Sequence, residues 1–387
     1  MKKILLFLFA LLLHAGEPTV CLNMIVKNET RVIRRCLESA KPLIDYWVIV
    51  DTGSTDGTQG VIREFLKDIP GELHERPWVN FEHNRNEALE LAKSKADYTL
   101  FIDADDLFAF EPGFKRQNLD KDAYSIRIKF NDLLYERTQL IKNCNEWKWA
   151  GVVHEVLVPS DPVTYGQLEG VTLQIIGGGD RSQNPQKYKN DAKLLEAELK
   201  KDPTQTRTAF YLAQSYRDAG MYEEAIKMYE RRAAMGGWDQ EVFWSYYQIG
   251  ILQEELNYPE EAIAKSYLKA FNFRPTRAEP LYRLANYYRL KENYFMAYLF
   301  SHFGMRLQFP KDLLFVETWV YDYGIHLEYS IASYWINRYE ESYVACQQLL
   351  AKKLPQNIRE CVERNLQFAS DKLKGKERKA YLIAESP

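Results

Sequence analysis

The stretch Tyr98-Thr99-Leu100-Phe101-Ile102-Asp103-Ala104-Asp105-Asp106 decides how the rest of the chain is read. Five residues rich in β-formers predict a buried strand, and three carboxylates follow at once. Clustered negative charge repels itself and is costly to bury unpaired. A divalent cation resolves that conflict. Hard oxygen ligands suit Mg²⁺ or Mn²⁺, with a phosphate completing the shell. In open α/β sheets, ligands gather at the carboxyl ends of the strands. The stretch therefore reads as a metal–diphosphate site. An acidic turn capping the next element is the competing reading, because Asp-x-Asp is a short pattern.

Upstream, Val20–Val26 is a strand, and Thr30 is placed to cap a helix running to Ala40. Tyr46–Asp51 is a second strand that again ends on a carboxylate. A turn over 52–58 leads into a helix through about Lys67, a short strand covers Leu73–Arg76, and Asn84–Ser94 is helical. This β-α-β-α-β-α-β order predicts a parallel sheet with helices on both faces. Asp51, Asp103 and Asp105 then open on one edge, where Asp51 can accept hydrogen bonds from a base or ribose; a plain turn aspartate is its alternative. No Gly-x-Gly-x-x-Gly or Walker pattern precedes the helix after Gly57, which disfavours a dinucleotide fold and a P-loop ATPase.

Downstream, Tyr124–Ile128 and Leu134–Ile141 alternate, with Asn131-Asp132 as a hairpin turn. Trp147–Val156 reads as one apolar strand that contains His154 and Glu155. Neighbours in a strand point to opposite faces, so the two would do different jobs, unless they are a core histidine and an edge glutamate. The breaker-rich run Gly177–Pro185 is either a domain junction or a lid whose Arg181 reaches a diphosphate.

Four motifs in order, Met24-Ile25-Val26-Lys27-Asn28-Glu29, Val50–Thr58, Arg85-Asn86 and Phe101–Asp106, resemble the GT-A fold glycosyltransferases of family 2 over about residues 20–160. The resemblance implies that Asp51 contacts the nucleotide base, Asp103 lies by the ribose, Arg85 stands near the nucleotide and Asp105 ligates Mn²⁺ or Mg²⁺ on the diphosphate. Trp149-Ala150-Gly151-Val152-Val153-His154-Glu155 looks like the family's aromatic-x-Gly-x-x-His-Glu segment. His154 is then a second metal ligand and Glu155 the general base, although another aspartate can fill that role. Inversion at the anomeric carbon is likewise implied by resemblance alone.

The second half is helical in pattern. Tyr222-Glu223-Glu224-Ala225 recurs in related form at Tyr258, Tyr294 and Tyr339, in steps of 36, 36 and 45. Such a period, with small residues at fixed offsets, resembles tetratricopeptide repeats, whose helix pairs bury their apolar faces only by stacking. The many tyrosines suit core packing, or a groove for a peptide or sugar.

Across 387 residues the net charge is −3, so no basic bias implies a nucleic-acid partner. Five scattered cysteines read as buried thiols. Lys2-Lys3 before the apolar run Ile4–Leu13 resembles a secretory signal, with a hydrophobic first strand or an uncleaved anchor as alternatives, which implies a secretory or membrane-associated location and otherwise a cytoplasmic one. The chain thus divides into a signal-like segment (1–17), an α/β GT-A domain with a Rossmann-like, mostly parallel sheet (18–176), a linker or lid (177–187) and an all-α tetratricopeptide-like solenoid (188–387). The leading expectation is a metal-dependent glycosyltransferase. It would use a nucleotide sugar, a UDP-sugar first among them, and a glycan, lipid or protein acceptor, with the repeats recruiting acceptor or partner. The alternatives are a repeat-based scaffold with an inactive GT-A domain and a nucleotidyltransferase.

Overall fold

The computed structural model describes residues 17–384, with side chains through Lys374. All of the signal-like segment except Glu17 lies outside them. The chain forms two compact units: the first comprises residues up to Ile126 with Thr138–Ala150 and Val156–Asp180, the second Arg127–Arg137, Gly151–Glu155 and Arg181 onward. None of the described helices is long and apolar enough to cross a membrane.

The first unit opens with β1 (Val20–Val26), α1 (Ile33–Ala40), β2 (Tyr46–Asp51), α2 (Thr58–Phe65), β3 (Gly71–Glu75), α3 (Phe81–Ala92) and β4 (Tyr98–Phe101). The strands run β3-β2-β1-β4, all parallel. Every residue from Val20 to Met24 is buried, as expected of a strand covered on both faces. Cys21 packs with Ala92 of α3, and the Asn23 amide donates to Ala88 O (2.8 Å) and Val48 O (3.2 Å). A buried amide is tolerated there because its donors are satisfied. Then come β5 (Asp106–Phe110), β6 (Ala123–Phe130), β7 (Leu133–Lys142), β8 (Trp147–Ala150), β9 (Val156–Pro159) and β10 (Tyr165–Ile175). The sheet continues past β4 as β7-β6-β10-β5, with β7 antiparallel to β4.

Three local expectations are corrected. Thr30 does not cap α1, which starts at Ile33; its amide and hydroxyl donate instead to Asp56 Oδ2 (3.0 Å) and Asp56 O (3.0 Å). Helix α3 begins before Asn84, because Asn80 Oδ1 accepts from the His83 amide (2.8 Å) and so supplies the cap. Trp147–Val156 is not one strand: Gly151 takes φ +118° and His154 φ +54°, and the chain turns back so that Ala150 pairs with Val156. Burial of the thiols holds for Cys21, Cys36 and Cys346, whereas Cys144 is exposed and Cys361 half-buried.

The second unit contains α4 (Lys187–Lys201), α5 (Thr206–Asp218), α6 (Tyr222–Ala234), α7 (Asp239–Glu255), α8 (Glu260–Phe273), α9 (Glu279–Leu290), α10 (Tyr294–Gly304), β11 (Val316–Glu317), α11 (Ile325–Trp335), α12 (Tyr339–Leu350) and α13 (Gln356–Ala384). Each recurring tyrosine follows the same turn. Gly220, Asn257, Glu292 and Asn337 all adopt positive φ, and the next amide reaches back to Tyr216 O, Gln253 O, Tyr288 O and Ser333 O at 2.8–2.9 Å. That 6→1 bond is a Schellman stop, so the repeat is written in its turns as much as in its apolar positions. Tyrosines do pack the core, with Tyr229, Tyr247 and Tyr267 fully buried. Tyr247 and Tyr267 donate to Glu317 and Glu254 (2.7 Å each), which satisfies hydroxyls in a dry interior.

The long third step holds β11, which pairs with the β7 residues Leu133 and Leu134 within this unit. An ion network fixes the approach to it. Fully buried Arg277 binds Glu279 (2.7 Å), Asp312 (2.9 Å) and Phe315 O (2.8 Å), and Arg274 grips Asp312 from the other side (2.6 Å).

Candidate functional site

The carboxyl ends of the parallel strands in the first unit carry the acids singled out in the sequence. Asp51 ends β2 and is 1% exposed. Its Oδ1 accepts from the amides of Gly53 (3.0 Å) and Ser54 (2.8 Å) and from Gln59 Nε2 (3.1 Å). Its Oδ2 is buried with no partner among the described residues. A buried acceptor left open is costly, and it suits a donor arriving on a ligand. The loop holding Asp51 is itself pinned by Asp56. Burial alone would raise that carboxyl, but hydrogen bonds from Thr58 and Thr30 outweigh it and hold the group at about 2.

Asp103 and Asp105 follow β4 on the same edge, both half-buried. Asp103 Oδ1 accepts from Arg85 Nη2 at 2.6 Å, and the Arg85 guanidinium stands 4.9 Å from the Trp149 ring centroid. Asn86 fixes that wall by exchanging hydrogen bonds with the Trp149 backbone (2.8 and 2.9 Å). Arg85 is thus held between a ring and a carboxylate, which leaves Asp103 oriented.

Asp105 differs, having no cation on its carboxylate among the described residues; Oδ2 accepts only the Gly179 amide, at 3.2 Å. Arg35 instead ties the backbone together, donating from one Nη2 to Asp105 O (2.9 Å) and to Gly177 O. Glu29 stands on the other side of Gly179. Burial raises its carboxyl and the negative charge of Asp105 raises it further, to about 7. Its Oε2 is buried with no partner among the described residues. A β-carbon on Gly179 would lie 2.9 Å from Asp105 Oδ2 and 3.0 Å from both Glu29 oxygens, so the two carboxylates converge on that glycine. Glu29 was not singled out in the sequence, yet it sits just after β1, and the rule that found Asp51 applies to it equally.

No group of three or more His, Cys, Asp or Glu side chains among the described residues could hold a metal unaided. Asp105 and Glu29 nevertheless fit a hard divalent ion whose shell a diphosphate completes, since two buried-edge carboxylates without a counter-cation supply oxygen donors and negative charge.

The remaining sequence candidates belong to the second unit. His154 lies in the turn between β8 and β9, its ring stacked on Tyr211 (4.2 Å between centroids). Desolvation first, and then the positive charges of Arg181, Arg207, Lys187 and Arg137, push the imidazole down to about 3, and those charges disfavour an added cation. Glu155 is half-buried in the same turn. The argument from strand alternation falls with the strand, because Gly151 breaks it. Arg181 binds buried Asp191 at 2.5 Å.

Residues 21–117 match the profile of glycosyl transferase family 2. Among curated proteins, the SPbeta prophage-derived glycosyltransferase SunS of Bacillus subtilis is 28% identical over 230 residues, covering 55% of this chain and 52% of SunS. A TPR repeat-containing protein of Synechococcus elongatus is 34% identical over 100 residues, 26% of this chain and 23% of that protein. The chain spans about half the length of the SunS relatives it matches. A tetratricopeptide repeat protein structure from Parabacteroides merdae aligns over 52% of this chain and 74% of its own, at 17% identity and a TM-score of 0.37. With the parallel sheet, its carboxylate edge and the profile in agreement, residues 21–117 are a glycosyl transferase family 2 domain, followed in the chain by helix pairs that recur at a tetratricopeptide-like period.

Proposed function

We propose that this protein is a metal-dependent glycosyltransferase that moves a sugar from a nucleotide sugar, a UDP-sugar first among them, to an acceptor hydroxyl with inversion. The observation that carries the reading is the state of three acids on one sheet edge. Asp51 keeps a buried oxygen open, and Asp105 and Glu29 face Gly179 with no cation between them among the described residues. Asp51 receives the base, Asp103 receives the ribose in the orientation Arg85 sets, and Asp105 holds Mn²⁺ or Mg²⁺. The bound cation supplies neutralisation of charge on the departing diphosphate. The acceptor oxygen attacks the anomeric carbon as the bond to the diphosphate oxygen breaks, and Glu155 takes the hydroxyl proton. His154 stays outside the metal shell in this reading, because its surroundings are cationic. The repeats recruit the acceptor, whether glycan, lipid or protein, or a protein partner.

Incubating the full chain with a panel of nucleotide sugars and Mn²⁺ tests this directly. Free nucleoside diphosphate and a glycosylated acceptor are the expected products. Release of pyrophosphate would indicate a nucleotidyltransferase, and UDP binding without metal-coupled heat would indicate a scaffold. Glu155→Gln is expected to lower turnover about a hundredfold while UDP affinity holds; unchanged turnover would move the base to another residue.

A further inference from the structure

Helix α10 reverses the usual order of a surface helix, which buries its large apolar residues and exposes polar ones. Its buried seam, Ala297, Ser301 and Gly304, is small. Its exposed seam, Phe295 (74% exposed), Leu299 (57%) and Phe303 (53%), is large and apolar. Those three are the only exposed residues of the helix, and its 11 residues include no Asp, Glu, Lys or Arg. The other helices that start on a recurring tyrosine, α6, α8 and α12, open with paired glutamates and expose residues such as Lys227, Lys265 and Gln348. Contacts on the inner side set how α10 points. Phe300 stacks on Tyr288 of α9 (5.8 Å between centroids), and Phe303 meets Phe271 of α8 edge-on (5.9 Å). A β-carbon on Gly304 would lie 2.9 Å from Ile325 Cδ1, so α10 packs close on that side. Phe295, Leu299 and Phe303 thus form a row at i, i+4 and i+8, the spacing of a ridge that interlocks with a like ridge on another helix. An apolar row left in water is unfavourable and marks a contact surface.

The charges at the two ends of this row indicate what covers it. Leu299 is the middle residue of α10 (Tyr294–Gly304). Phe295 and Phe303 stand four residues to either side of it, and Glu292 and Arg306 seven to either side, just beyond the helix ends. Both charged residues are exposed, and neither has an ion-pair partner among the described residues. A two-fold axis through Leu299, perpendicular to the helix, sets a second α10 antiparallel to the first. Phe295 then meets Phe303 of the second copy, Leu299 meets its own equivalent, and Glu292 meets Arg306 twice, once in each direction. The row is therefore complementary to itself in shape and in charge. A lipid surface fits it less well, because Lys291, Glu292 and Arg306 make a rim of mixed sign rather than a basic one.

We propose that two copies of this chain associate through α10, the Phe295–Leu299–Phe303 rows interlocking about a two-fold axis at Leu299 and Glu292 of each copy pairing with Arg306 of the other. The row is small beside the roughly 800 Å² per partner of a standard interface, so the dimer is weak, with a Kd on the order of 10 µM. The inference is independent of the transferase reading, since it is measured without metal, nucleotide or acceptor.

The test is sedimentation equilibrium of the full chain at low salt, over about 1–200 µM. A reversible monomer–dimer equilibrium is expected. Leu299→Asp sets two carboxylates against each other on the axis and should weaken association at least about tenfold. Leu299 is more than half exposed, so this variant should fold, and a circular dichroism melt checks that it does. Glu292→Arg and Arg306→Glu should each weaken the dimer about threefold. Combined in one chain they restore the pairing with its signs exchanged, and association should return to within about twofold of the unmodified chain. A chain that stays monomeric throughout would overturn the proposal, as would a dimer indifferent to Leu299→Asp. Charge reversals whose losses add rather than cancel would overturn the two-fold pairing as well. A monomer that binds phosphatidylcholine vesicles, and ceases to when Leu299 is changed to Asp, would give the row to a lipid surface instead.

Discussion

Buried acids are treated differently in the two units. In the repeats Glu241, Glu279, Glu317 and Glu328 each face an arginine, respectively Arg232, Arg277, Arg283 and Arg289. On the sheet edge of the first unit, Asp51 and Asp105 are met only by amide groups, and one oxygen of Glu29 by nothing among the described residues. The first pattern is complete in itself and serves packing. The second is incomplete and calls for something from outside the chain. Asp103 apart, which Arg85 orients, an acid's internal counter-charge thus separates a structural carboxylate from one reserved for a ligand.

The largest effect should come from breaking a completed set. Arg277→Met strands fully buried Glu279 and leaves Asp312 to Arg274 alone, and should cost about 3–5 kcal/mol in urea unfolding. A loss below 1 kcal/mol would blur the distinction. On the incomplete side, Asp105→Ala should leave stability almost unchanged yet reduce metal-dependent release of nucleoside diphosphate by about a hundredfold or more. Undiminished release would return Asp105 to the structural class. Asp51→Asn replaces the open acceptor with a donor while Oδ1 can still serve the loop, so UDP affinity should fall about tenfold with the melting temperature held.

The smallest effect sharpens the comparison within the first unit, where Glu72 on β3 is completed by Lys95, Tyr46 (2.9 Å) and His74 (2.9 Å). The Lys95 hydrogen bond leads the lowering of its carboxyl from 4.5 to about 2. The stabilisation is therefore full above pH 4.5 and disappears as pH falls through 2. Because the pair is near the surface, Glu72→Gln should cost about 1 kcal/mol or less at pH 7, converging with the unmodified chain near pH 2.

Much of this was legible in the residues because the relevant signals are local. Apolar runs ending on Asp51 and Asp103 marked both the parallel strands and the edge where they open. The recurring tyrosines marked the repeats. What stayed hidden was tertiary. Nothing near Thr30 announces that Asp56 will take its hydrogen bonds. Gly151 is too short a signal to outweigh the apolar run around it. The pairing of Glu29 and Asp105 across Gly179 joins positions 76 and 150 residues apart, which no window along the chain can see. The charged setting of His154 likewise assembles from four separated cations.

The pairing of β11 with Leu133 and Leu134 bears on how the gene can be cut. Severing the coding sequence at the glycine run would give a C-terminal fragment that has lost the hairpin its own strand leans on, and an N-terminal fragment carrying that hairpin as an orphan. Inheritance of the two halves is thereby linked: a swap of repeats between relatives must bring residues 127–137 along or accept a bare strand edge in the recipient.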